Sequence, residues 1–180
     1  ATQSINIPGF VRLDQPTIVN YLKVKVVSKL EIKTVVFPSK KKSQTLLDLI
    51  GHLGNQTGII FCNLRDSVDL VSRYLDKNKV NNSCFVGGME QKDRERSLIK
   101  FRNGTHQILI ATDLASRGID IPELKFIIHY EVPRAKEEFV KRNGRIARVK
   151  SKGTACIMKG DAEDLPAYIS NSKIVNISKQ

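Results

Sequence analysis

Three runs constrain this chain more than anything else in it: Gly58-Ile59-Ile60-Phe61-Cys62, Gln107 to Ala111, and Phe126-Ile127-Ile128-His129. Each is apolar almost throughout, without the polar alternates of a strand that has one wet face. Such strands need cover on both faces, which is the situation of a parallel sheet between helices. The intervening segments supply that cover. Val35-Val36-Phe37 reads as a strand closed by Pro38, and Ser43 to Leu53 puts Leu46, Leu49, Ile50 and Leu53 on one helical face before Gly54. Asp66 to Lys79 is a helix with Val68, Val71 and Leu75 on one face. Ser83 to Val86 is a strand, followed by a Gly87-Gly88 turn and a charged helix from Gln91 to Arg102 that ends at Gly104. A short helix from Ala135 to Asn143, a strand from Thr154 to Met158 and a last helix from Asp164 to Ser170 complete the pattern. The expected fold is α/β, a three-layer α/β/α arrangement with a parallel β-sheet. Ligands of such sheets bind at the carboxyl ends of the strands, so the loops after Cys62, Val86, Ala111 and His129 are the ones to inspect.

The chain has 180 residues, enough for one ordinary domain with a real core. Residues 1–33 read differently, with scattered Pro and Gly and then a basic β-branched stretch, and are expected to be a connector or the tail of a preceding domain. Residues 34–180 form the main domain. Thirty Lys and Arg against eighteen Asp and Glu give a net charge of +12. That field favours a polyanion such as nucleic acid, while acidic membranes and simple solubility also account for it. Cys62, Cys84 and Cys156 make no CxxC pair, which suits a reducing compartment. No apolar run reaches the ~18 residues of a membrane span, and no signal-peptide pattern opens the sequence. An intracellular protein, cytoplasmic in the first instance, is expected.

The strand-end loops carry the polar chemistry. Gly87 and Gly88 let the backbone approach a ligand, and the helix that follows offers unpaired N–H groups to a phosphate. Gln91 and Arg94, three apart on its first turn, can face the same phosphate. An ordinary strand–turn–helix corner with a solvated Arg94 has the same pattern. Ala111 to Asp120 supplies acceptors (Asp113, Asp120), hydroxyls (Thr112, Ser116), Gly118 and Arg117, a set suited to ribose and phosphate. A structural alternative has Asp113 capping a turn and Arg117 paired with an acid. Lys141 to Arg148 holds four cations in eight residues, with Arg145 and Arg148 on one face if the segment is helical. Two guanidiniums aimed together can grip a terminal phosphate, and a solvated basic helix end is the plain alternative. Lys40-Lys41-Lys42 reads as a solvated helix start, with phosphate contact as the lesser alternative. His52, His106 and His129 are too dispersed for a metal site, and a structural role suits His129. A GxxxxGK[ST] loop, a GxGxxG loop and an acidic pair after a strand are missing. The chain therefore reads as one wall of a nucleotide site, not a complete hydrolase.

Taken in order, these segments resemble the second RecA-like domain of DEAD-box ATP-dependent RNA helicases over roughly residues 30 to 160. Ile59-Ile60-Phe61-Cys62-Asn63 looks like motif IV, and Gly87-Gly88 with Gln91 and Arg94 like the GG and QxxR elements. Ala111 to Asp120 is similar to motif V, and Lys141 to Arg148 to motif VI. Ala1-Thr2 looks like the end of the Ser-Ala-Thr motif that closes the first domain, so a piece of a longer helicase is expected. The resemblance implies ATP as cofactor, with Mg²⁺ held mainly by the first RecA-like domain, which would be a partner in cis along with RNA. It implies that Gly118 and Asp120 contact ATP, and that Arg145 and Arg148 reach the γ-phosphate, Arg145 as the favoured arginine finger. It implies RNA sugar-phosphate contacts from Gly87, Gly88, Gln91, Arg94 and Thr112, with Asn63 and Arg65 as further candidates. Backbone contacts of this kind are sequence-independent and salt-sensitive. Lys141 stands where motif VI usually has His, Ile146 where it is usually polar or small, and Val86 where many members have His. A non-catalytic RNA-binding or assembly module with a degenerate helicase fold is the alternative, and Lys141 is the residue that favours it.

Overall fold

The computed structural model describes residues 30–113, 121, 123–146, 152–169, 172–175 and 177. Among these lie strands β1 (Leu30–Phe37), β2 (Gly58–Cys62), β3 (Asn82–Phe85), β4 (Ile108–Thr112), β5 (Phe126–His129), β6 (Gly153–Gly160) and β7 (Lys173–Val175). They form one sheet in the order β3-β4-β2-β5-β6-β1-β7, and every pairing is parallel. Helices α1 (Lys42–Leu53), α2 (Arg65–Lys77), α3 (Gln91–Arg102) and α4 (Lys136–Asn143) connect them.

Strand side chains alternate between faces, and both faces are covered. Ile59 and Phe61 of β2 join Leu109, Ala111, Ile127 and Phe101 of α3 in one layer. Ile60 and Cys62 join Ile110, Ile128 and Cys156 in the other, packed under Leu46 and Leu49 of α1 and Val68, Val71 and Leu75 of α2. This two-sided burial is the reason the central strands carry no polar alternate. Each aliphatic or aromatic side chain so buried contributes about 1.5–3 kcal/mol. The register aligns Cys62 with Thr112 and Phe61 with His129, so β2, β4 and β5 end side by side. Their loops leave the sheet together at one edge.

Three expectations need correction. β1 begins at Leu30, so residues 30–33, read as connector, already belong to the sheet, paired with Gly153 to Cys156. The last helix, expected from Asp164 to Ser170, is reduced to a single 3₁₀ turn, Ala167–Ile169. Pro166 disfavours helical backbone at Leu165, which keeps the segment open. Lys42 is not a solvated cation: it is half-buried, with its ammonium 4.2 Å from the centre of the Tyr130 ring and 5.4 Å from that of Phe37. Burial pushes its pKa down, partly opposed by Glu131 and Glu163.

Candidate functional site

The loop after β2 is fastened by the loop after β5. One carboxylate oxygen of Glu131 accepts the Asn63 backbone N–H at 2.6 Å, and the other accepts the Ser67 hydroxyl at 2.6 Å. Asn63 donates its side-chain N–H to the Val132 carbonyl at 2.9 Å, which leaves its amide oxygen aimed at Arg142.

Arg142, in the last turn of α4, is 1% exposed. Its Nε donates to Asp113 Oδ1 at 2.8 Å and its Nη2 to Asp113 Oδ2, a two-pronged ion pair. Nη2 also donates to Asn63 Oδ1 at 2.8 Å, Nη1 reaches the Glu131 carbonyl at 3.4 Å, and the guanidinium lies 5.2 Å from the Phe61 ring centre. A cation this deep is tolerated only when paired and hydrogen-bonded. One guanidinium thereby ties together the loops that leave β2, β4 and β5. The basic octet alone does not separate Arg142 from its neighbours, and its partners lie 29 and 79 residues away. Asp113 is thus an ion-pair partner, a role that sequence reasoning missed.

The residues expected to meet RNA line the same edge. Thr112 is half-buried at the end of β4, in register with Cys62 and hence beside the Asn63 loop. Arg65 is exposed at the start of α2. Gly88 has φ +80, a backbone conformation L side chains rarely adopt, and a Cβ there would sit 3.6 Å from Arg65 Nη1. The Gly87-Gly88 turn and Arg65 are therefore neighbours across the β3-β4-β2 row. Arg94 is half-buried with its guanidinium 4.7 Å from the Phe85 ring centre, and the exposed Gln91 donates to Glu95 at 2.8 Å.

Beyond α4 the chain turns sharply: Arg145 N–H donates to the Arg142 carbonyl and Ile146 N–H to the Asn143 carbonyl, both at 3.1 Å. Arg145 is half-buried, whereas Ile146 is 2% exposed in the Phe61–Leu109 layer. Lys141 is exposed. Gly118, Asp120 and Arg148, expected to complete the nucleotide contacts, lie outside the described residues. Under the turn, His129 Nε2 bonds Asn143 Oδ1 at 3.0 Å, both side chains buried. Burial pushes the His129 pKa down to about 3, with Asn143 opposing the shift and the Arg142 charge adding to it. The Cys62 thiol, at the end of β2, is pushed up to about 12 by burial and is no nucleophile at neutral pH. Among the described residues no group of three His, Cys, Asp or Glu could hold a metal ion, and no helix is long and apolar enough to cross a membrane.

A RecA-like sheet whose strand-end loops carry glycine turns and arginines defines the class, and residues 41–150 match the helicase conserved C-terminal domain. The chain belongs to that family, and the proteins it is similar to include DEAD-box helicases. It is 37% identical over 121 residues to DEAD-box ATP-dependent RNA helicase 21 of Oryza sativa subsp. japonica, covering 67% of this chain and 16% of that protein. It is 34% identical over 126 residues to eukaryotic initiation factor 4A of Caenorhabditis elegans, covering 69% and 31% respectively. The chain thus spans under a third of the length of these relatives. Its backbone superposes on the E. coli DEAD-box protein SrmB, solved bound to regulator of ribonuclease activity A, with a TM-score of 0.68 and 28% identity, over 74% of this chain and 79% of that one.

Proposed function

We propose that this chain supplies the cationic half of a split ATP site, and part of an RNA backbone surface, in an ATP-dependent RNA helicase. The observation that carries the reading is the convergence on Arg142: its buried guanidinium fastens the Asn63 loop and Asp113 at the end of β4, and its backbone carbonyl accepts the Arg145 N–H of the turn that follows. RNA held by Asn63, Arg65, Gly87, Gly88, Gln91, Arg94 and Thr112 would then be in mechanical contact with the arginine that addresses the nucleotide.

Arg145, with Arg148 beyond it, would grip the γ-phosphate and stabilise the charge that develops during transfer, while Gly118 and Asp120 would meet the ribose. The donor set fits a phosphate: guanidinium N–H groups and glycine backbone, with hydroxyl and carboxylate acceptors nearby for a sugar. Mg²⁺ accompanying ATP would be held chiefly by the first RecA-like domain. Neither half hydrolyses ATP by itself on this reading.

The test is RNA-stimulated ATPase activity of the full-length protein, wild type against Arg145→Ala. The variant should lose nearly all turnover with little change in RNA affinity measured without nucleotide. Wild-type protein without ATPase activity on any RNA would instead favour the non-catalytic module, with the exposed Lys141 as its mark.

A further inference from the structure

The turn that presents Arg145 is gripped on both flanks by buried contacts that phosphate chemistry does not use. On its amino-terminal flank, Asn143 accepts a hydrogen bond from His129 at 3.0 Å. His129 is 0% exposed and ends β5, the middle strand of the seven, so the anchor sits in the centre of the sheet. The ring lies between Phe61 and Phe139, its centroid 6.5 Å from the first and 5.3 Å from the second. On the carboxyl-terminal flank, Ile146 fills space above β6 that only glycine leaves open: a Cβ on Gly153 would lie 2.1 Å from Ile146 Cγ2. The Ile146 N–H to Asn143 carbonyl bond closes the turn between the two anchors. Arg145 stands between them.

We infer that the His129–Asn143 pair is a positioning device for Arg145, fixing the turn so that the guanidinium is held ready for phosphate without searching for its geometry. The inference rests on the reading of Arg145 as the finger. A buried polar pair inside an aromatic layer stabilises poorly for its size, because both groups give up water for a single bond. An apolar pair would pack there without that penalty. What the bond adds is direction: it fixes the rotation of the last turn of α4, and a side chain two positions further on inherits that rotation. Misplacement of a reacting group by about 1 Å can lower a rate about a hundredfold.

The experiment is RNA-stimulated ATP turnover by the full-length protein, with kcat and KM measured separately. His129→Leu and Asn143→Leu should each lower kcat by about tenfold to a hundredfold while KM for ATP and half-saturation by RNA stay near wild type. The double variant should be no worse than either single one, as expected when both remove one interaction. His129→Gln, whose amide N–H reaches close to the position of the ring Nε2, should recover most of kcat. In an Arg145→Ala background His129→Leu should produce no further loss, which a merely structural defect would not predict. If His129→Leu fails to fold, Asn143→Ser interrogates the same bond. Unchanged kcat in the folded variants, or an equal fold-loss with and without Arg145, overturns the inference while leaving Arg145 as finger intact. Wild-type turnover by Arg145→Ala itself overturns the functional reading and this inference with it.

Discussion

Replacing Arg142 by Met tests whether the strand-end loops are held by one ion pair. Methionine keeps the unbranched stem and its packing on Phe61, so the change removes charge and donors more than volume. Asp113 Oδ1 and Oδ2, Asn63 Oδ1 and the Glu131 carbonyl lose their donor together. Removing one partner of a buried pair destabilises by about 3–5 kcal/mol. The Arg142 side chain is 1% exposed but that of Asp113 is 27% exposed, so water can partly resolvate the Asp113 carboxylate. The lower end, about 3 kcal/mol, is therefore expected. Adding Asp113→Leu should restore stability to within about 1 kcal/mol of wild type, because an apolar pair has no stranded charge. Urea unfolding of this chain reads both as shifts in midpoint at constant slope. A loss below about 1 kcal/mol for Arg142→Met, or additive losses in the double variant, would refute the argument.

Other outcomes follow from single contacts. His129 titrates near 3 in the fold against an ordinary 6.5, so the unfolded chain binds the extra proton first as pH falls. Its contribution is complete above pH 6.5 and is lost at roughly 1.4 kcal/mol per pH unit between 6.5 and 3. His129→Gln should flatten that acid limb in urea titrations, and an unchanged limb contradicts the assignment. Arg94→Ala should weaken RNA binding across sequences and reduce the slope of log affinity against log salt by about one; equal affinity at every salt concentration would remove Arg94 from the phosphate contacts. Gly153→Ala should destabilise by about 1–3 kcal/mol through its collision with Ile146, and the further change Ile146→Ala should relieve part of it. A Gly153→Ala variant as stable as wild type would show that the turn after α4 is not wedged.

The fold was legible because its signal is local. Gly58–Cys62 and Phe126–His129 are strands with the bounds their apolar runs give, and Gln91–Arg102 is the helix that its charge pattern and Gly104 mark out. β1 was legible only in its second half. Leu30 to Thr34 mixes Glu31 and Lys33, which pair at 3.3 Å, with buried Thr34, and so mimics a basic connector. β7 is three residues at the sheet edge, too short for a periodicity. At the site, glycine spacing and clustered arginines pointed to the strand-end loops, and the structure sets Gly88 beside Arg65 there. Arg142 was not distinguishable from Lys141 or Arg145 by sequence. Which cation of a basic segment turns inward depends on an aspartate 29 residues back and an asparagine 79 residues back, brought within reach by the register of β4 and β2. His129 and Asn143 are separated by 14 residues and meet only because α4 folds back under its own strand.

Single-turnover hydrolysis of ATP by RNA-saturated full-length protein isolates the chemical step from binding. If this chain provides the arginine that meets the transferring phosphoryl group, Arg145→Ala should slow that step by about 10³–10⁵ with ATP still bound. A rate within tenfold of wild type, measured with both ligands at saturation, would contradict the account.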